Sequence, residues 1–297
     1  MKRFMIHHRL SVLTLLFGIL LFASCKKDNS ITAADELGAI ESMENDAVAD
    51  FAYTNATDDA LNIGMEENSD RFGFQGPVTD FTSPRMAAPQ VNGRVQGCFT
   101  VSVDTTAGTT FPITVTIDFK DGCVGRDGKL RKGKIITVYS GRLRVPGNKA
   151  TTTFKEFSID SINVEGIHII TNVSRNEVPA FRREVINGKL IWSSTRWIKW
   201  SSVRTIAMIN GANTLLDRRD DVFRITGEGK GENSAGKTWA HEITEGLIKK
   251  TVCRWISSGI IRFRHNAAVG SLNYGDGDCD NKAILSVNGR SKEITLR

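Results

Sequence analysis

The spacing of apolar and polar positions changes along the chain. Residues 10–23 are almost continuously apolar behind the basic residues Lys2, Arg3 and Arg9, and the run ends at the small pair Ala23-Ser24. Between Thr32 and Tyr53, apolar side chains recur at Leu37, Ile40, Met43, Val48 and Phe51, close to the stripe of an amphipathic helix. Thr32 and Asp35 approximate capping-box spacing, and Asp35 and Glu36 suit the positive end of a helix dipole. A helix is expected over 32–53, with a weaker helical turn near 58–63 that stops at Gly64. Residues 65–93 carry Pro77, Pro84 and Pro89 with Gly73, Gly76 and Gly93, the composition of a linker.

From Arg94 onward the period becomes two. The segments TFPITVTIDF (110–119) and KIITVYSGRLRV (134–145) alternate and are rich in β-branched residues, as strands are. Further strands are expected over 151–159, 162–171, 181–186, 189–192, 197–200, 203–209, 222–229, 237–243, 254–264, 283–287 and 293–296. Asn187-Gly188 and Asn288-Gly289 read as hairpin turns, because a type I′ turn needs positive φ at both central residues; Asn210-Gly211 is a third candidate. The predicted fold is all-β, an antiparallel sandwich or rolled β-meander over 94–297, preceded by a short N-terminal helix and a linker.

The leader changes this picture. An apolar run of fourteen residues is shorter than the roughly 20 needed to span hydrocarbon, and Lys26-Lys27-Asp28 follows at once. Residues 1–24 therefore read as a secretory signal peptide. Phe22-Ala23-Ser24-Cys25 resembles the lipobox of bacterial lipoproteins, with Phe22 in place of the usual Leu. That resemblance implies diacylglycerol on the Cys25 sulfur, an acyl chain on its amine, and a mature tether over 25–93. Each buried acyl CH₂ contributes about 0.8 kcal/mol, so several chains on one residue anchor a protein stably.

Charge is asymmetric. The net charge of +6 divides into five basic residues over 1–27, 13 acidic residues and one basic residue over 28–80, and 33 basic and 20 acidic residues over 81–297. The basic body could meet the acidic lead segment, acidic lipid or glycan, while dispersed charge on the wet faces of strands is the plainer explanation. No basic motif matches a nucleic-acid-binding module, and nucleic acid is not expected as a partner. With Cys25 assigned to lipid, Cys98, Cys123, Cys253 and Cys279 remain, at separations of 25 and 26. Four cysteines permit three connectivities; each nearby pair flanks a strand-turn-strand unit, which favours Cys98 with Cys123 and Cys253 with Cys279. Each loop would stabilise the fold by about 3 kcal/mol. The two units also end alike, TVTIDFKDGC and GSLNYGDGDC, a similarity too short to separate duplication from shared hairpin chemistry.

Chemistry-bearing residues give few signatures. Trp192, Trp197 and Trp200 fall within nine residues and are candidates for stacking on a ligand such as a glycan, although core packing is commoner for Trp on a strand. Asp276, Asp278 and Asp280 begin like a calcium loop, but Asn281 replaces the turn glycine and Val287 the bidentate Glu, so an acidic turn with no metal is expected. Asp160, Ser161 and His168 supply the residue types of a hydrolytic triad without a nucleophile elbow or an oxyanion loop. Asp104-Thr105-Thr106 and Asp160-Ser161-Ile162 match a short O-glycosylation pattern, which places Thr105 and Ser161 at the surface. No cofactor is expected.

The combination of SCKKD, the acidic helix, GCFTVSVD, TVTIDFKDGC, RKGKIITVYSGR, CRWISSGIIRF, YGDGDCDNKA and VNGRSKEITLR resembles the lipoproteins of the Bacteroidota cell envelope over nearly the whole mature chain. The resemblance implies location and architecture and carries over no activity or functional residue. The resulting expectation is an exported lipoprotein, anchored to the envelope, most consistent with the outer membrane, through acylated Cys25. Its expected role is non-enzymatic binding of a glycan or another envelope protein, or structural support. The alternative is a carbohydrate-active hydrolase with a carboxylate pair in a β-sheet cleft.

Overall fold

The computed structural model describes residues 33–72, 90–91, 94–95, 98–105, 109–125, 128–176, 178–214, 218–265 and 268–296, with helix side chains described at 33–34 and 37–56. Cys25, the leader and residues 73–89 of the expected linker lie outside the described residues. One helix, α1 (Ala33–Phe72), precedes the strands. A two-stranded ribbon follows, β1 (Gln90–Val91) with β2 (Arg94–Val95). All remaining strands belong to one antiparallel sheet of fourteen. Its first half comprises β3 (Thr100–Thr105), β4 (Ile113–Asp118), β5 (Cys123–Val124), β6 (Leu130–Tyr139), β7 (Lys149–Ile159), β8 (Ile162–Asn172) and β9 (Ala180–Ser193). The second comprises β10 (Arg196–Asn210), β11 (Val222–Asn233), β12 (Thr238–Lys250), β13 (Ser258–His265), β14 (Ala268–Asp276), β15 (Lys282–Val287) and β16 (Arg290–Thr295). Spatial order follows chain order from β16 back to β6, then β4 and β3, with β5 pairing β6 off the main path. The fold is an all-β meander with an N-terminal helix.

Helix contacts show that the sheet curls. Ser42 on α1 bonds His265 on β13, and Asn55 accepts from Arg131 on β6 at 3.4 Å. Seven strand spacings separate β6 from β13, about 34 Å in a flat sheet. Thirteen helical residues rise only about 20 Å. The sheet therefore wraps α1 on its concave face, where alternate strand residues such as Ile113, Val115 and Ile117 of β4 are buried.

α1 differs from its sequence expectation in two ways. It continues to Phe72, through Gly64 and eight residues into the expected linker. Its buried row is also only partly the expected apolar one: Ile40 and Met43 are half-buried against an apolar cluster, whereas Leu37, Val48 and Phe51 are exposed at 66%, 39% and 45%. Ala39, Ser42, Ala49, Ala52, Tyr53 and Ala56 are buried instead. Small side chains on that row let the helix backbone approach the sheet, and α1 joins two apolar clusters. Ala49, Ala52, Tyr53 and Ala56 enter the larger cluster, built mainly on β4–β10, while Ala39 enters a smaller one on β13–β15.

Several strands are longer than periodicity alone indicates. Asn187-Gly188 is no hairpin: β9 runs unbroken through it, with Asn187 at φ 51° in a bulge. A Cβ at Gly188 would meet the Tyr53 hydroxyl and the Trp200 carbonyl, so the glycine serves helix–sheet approach. The segments 197–200 and 203–209 are likewise one strand, β10. Asn288-Gly289 does form the two-residue turn between β15 and β16, both residues having positive φ. After Asn210-Gly211 the chain instead makes a longer connection with a short 3₁₀ turn, Arg218–Asp220, before β11. Both expected disulfides are present, each with Cα atoms 5.2 Å apart. Cys98–Cys123 closes the β3–β4 hairpin, and Cys253–Cys279 closes β13–β14.

Candidate functional site

Alongside the middle of α1, the helix and the concave face enclose a cavity of about 980 Å³. That is the upper end of the range for small-molecule sites. The walls come from the middle of α1 and from β8–β14, with β16 at one rim.

A buried polar cluster fastens the helix across this space. Asp46 projects from α1 and accepts a 2.6 Å bond from Trp200 Nε1. Its second oxygen accepts from Arg204 Nη2 at 3.2 Å, while Arg204 Nη1 reaches Asp50, one turn further along, at 2.9 Å. His241 Nδ1 stands 3.1 Å from Asp46 Oδ1, at ion-pair distance but off the line of a hydrogen bond. Burial alone would push the Asp46 carboxyl up; His241, Arg204 and the Trp200 bond outweigh it and hold the group below the usual carboxylate value. Burial likewise works against the Arg204 charge, and Asp50 and Asp46 more than offset it. Burial pushes the nearby Tyr274 hydroxyl up to about 12, so it stays protonated at neutral pH.

The register explains why two large rings fit beside this cluster. On β11, Gly229 pairs with Ser202 on one side and His241 on the other, and Gly231 pairs with Trp200 and Trp239. A Cβ at Gly229 would overlap the His241 ring, and one at Gly231 the Trp239 ring. The glycines make a trough in which both rings lie. Trp239 Nε1 and His241 Nε2 are buried in that trough with no hydrogen-bond partner among the described residues, and both residues contribute to the cavity wall.

At the far end the wall carries cations. Lys249 is half-buried, and its Nζ donates to the Cys253 carbonyl. The Arg254 guanidinium lies 4.9 Å from the centre of the Trp255 ring.

The residues singled out from sequence are dispersed. Trp200 is 2% exposed and stacks on Tyr53; Trp192 packs against the larger apolar cluster with Arg196 over its ring at 5.0 Å. Trp197 faces the convex side, between Lys189 and Lys199 at 5.8 and 4.9 Å. The three indoles thus share no single face. Thr105 and Ser161 are exposed, Ser161 in the two-residue turn joining β7 to β8. Asp160 accepts from the Leu130 amide in that turn, whereas His168 is buried six strand residues beyond Ile162, about 20 Å away. They do not form a triad. In the acidic turn, Asp280 accepts from the Lys282 amide, and the Gly277 carbonyl accepts from Lys250 Nζ at 2.7 Å.

Sequence reasoning did not find Asp46, Arg204, His241, Trp239 or Lys249 as a group. The available signal was weak: a charged residue and a histidine at inward positions of β10 and β12, beside a strand with glycine at residues 227, 229 and 231. No family model, curated protein or solved structure matches this chain.

Proposed function

We propose that the protein is a lipid-anchored component of the cell envelope that binds a ligand between α1 and the concave face of the sheet without transforming it. The carrying observation is the cavity itself, walled by the buried Asp46–Trp200–Arg204 cluster and by Trp239 and His241. Its size suits a ligand larger than a few waters. The Cys25 lipobox supports the anchor, and two disulfides suit an oxidising compartment.

The hydrolase alternative draws less from the geometry. Glycoside hydrolysis needs two separately placed carboxyls, one kept protonated by a raised pKa. Asp46 and Asp50 share one guanidinium, and Asp46 is held low.

Native mass spectrometry of protein extracted from envelopes tests the reading. A bound small molecule is expected with the wild type and absent from Ile225→Trp, which fills the cavity. Cys25→Ala is expected to lose acyl mass and membrane attachment while keeping both disulfides. Wild-type protein that carries no bound mass and shows no thermal shift with envelope lipid or glycan extracts would overturn the binding reading.

A further inference from the structure

Lys249, half-buried, and Arg254, exposed, line the cavity at the Cys253 turn, and among the described residues neither is paired with a carboxylate. Among the described residues the Lys249 ammonium donates to a neutral carbonyl, that of Cys253, and burial pushes its pKa down, as expected for a cation whose charge is not offset. Arg254 is held beside it because Cys253 is bonded to Cys279, which fixes the turn after β12 against the end of β14. Most carboxylates on the cavity wall are engaged elsewhere. Asp46 and Asp50 bind Arg204, and Glu293 binds Lys282 at 3.2 Å; Glu44 is exposed on α1. Next to these two cations one side of the wall is hydrocarbon and aromatic ring, Ile225, Leu247, Ile261, Phe263 and Leu272, while the Asp46–Arg204 pair lies across from it and Lys292 and Glu293 stand at the β16 rim. An apolar side wall that ends at two cations is complementary to a molecule with an apolar chain and an anionic end.

Resting on the reading of the cavity as a ligand site, we propose that its ligand is an amphiphile whose acyl chain lies along this apolar wall and whose anionic head meets Lys249 and Arg254. The head exchanges water for two charge-assisted contacts, and the chain leaves water for a preformed cleft. Carboxylate and phosphate heads both satisfy this chemistry.

Titration of the purified, delipidated full chain with palmitate, hexadecanol and hexadecylamine, followed by tryptophan fluorescence, tests the proposal. Palmitate is expected to bind saturably, about tenfold tighter than hexadecanol, and hexadecylamine weakest. Lysophosphatidylglycerol in a fourth titration separates phosphate from carboxylate heads. The double substitution Lys249→Gln/Arg254→Gln is expected to weaken palmitate about tenfold and to leave hexadecanol within about twofold. An unchanged melting temperature verifies its fold. Equal affinity for palmitate and hexadecanol, unaffected by the double substitution, overturns the anionic head while the cavity reading stands. Failure of all four amphiphiles to bind overturns the acyl chain as well; the cavity reading falls with it only if envelope-extracted protein also carries no bound mass.

Discussion

Trp200 on β10 and Tyr53 on α1 stack with ring centres 5.7 Å apart and planes 20° from parallel. The same indole donates to Asp46, two turns earlier on the helix. One strand residue therefore sets both the height and the rotation of α1 over the cavity, and changes at this contact should be read as changes in helix docking.

Asp46→Asn removes the charge shared by Trp200, Arg204 and His241, and is expected to cost about 3 kcal/mol at neutral pH, Arg204 keeping Asp50. Because the folded carboxyl lies below its ordinary value of 3.8, this contribution is complete above that value and is lost as pH falls through the lower folded one. Urea melts of wild type and variant should run parallel at neutral pH and converge in acid. A gap that persists at low pH would point to the side chain's shape rather than its charge.

His168 gives a separate acid sensitivity. Burial, then the nearby Arg183, pushes its imidazole down to about 3 from 6.5. The unfolded chain gains this proton near pH 6.5 and the folded chain only near 3, so stability is full above that window and falls as pH descends through it. The slope is at most about 1.4 kcal/mol per pH unit. His168→Phe should flatten the profile between those limits; an identical slope in the variant would assign the effect to another group.

The two disulfides should separate stability from binding. Replacing either cysteine pair with serine is expected to cost about 3 kcal/mol by the loop each closes. Only the Cys253/Cys279 replacement frees the turn carrying Arg254, so only it should also weaken palmitate binding. Equal binding losses in both variants, measured at matched folded fraction, would detach that turn from the site.

The strands were legible because alternation reports a one-sided sheet directly, and the cysteine pairing because each bridge closes a local hairpin. Bulges were not legible: Asn187-Gly188 has the residue types of a turn, and only the backbone of β8 and the approach of Tyr53 turn it into a kink within one strand. The helix face was legible at Ile40 and Met43, which pack on the sheet, and misread at Leu37, Val48 and Phe51 for a related reason. Burial on α1 follows how closely a curved sheet approaches, which selects Ala39, Ala49 and Ala52 over the larger Leu37 and Phe51. The site was least legible of all, because Asp46 meets Arg204 at a separation of 158 residues and no local pattern connects them.

From β6 to β16 each strand docks on the one made just before it, so the sheet can grow hairpin by hairpin as the chain emerges. The helix cannot complete its docking on that schedule, since Ser42 meets its partner His265 only 223 residues later. A chain truncated before β13 would hold most of its sheet yet enclose nothing. The enclosed space thus forms only after nearly the whole polypeptide has been made, and its closure marks a finished chain.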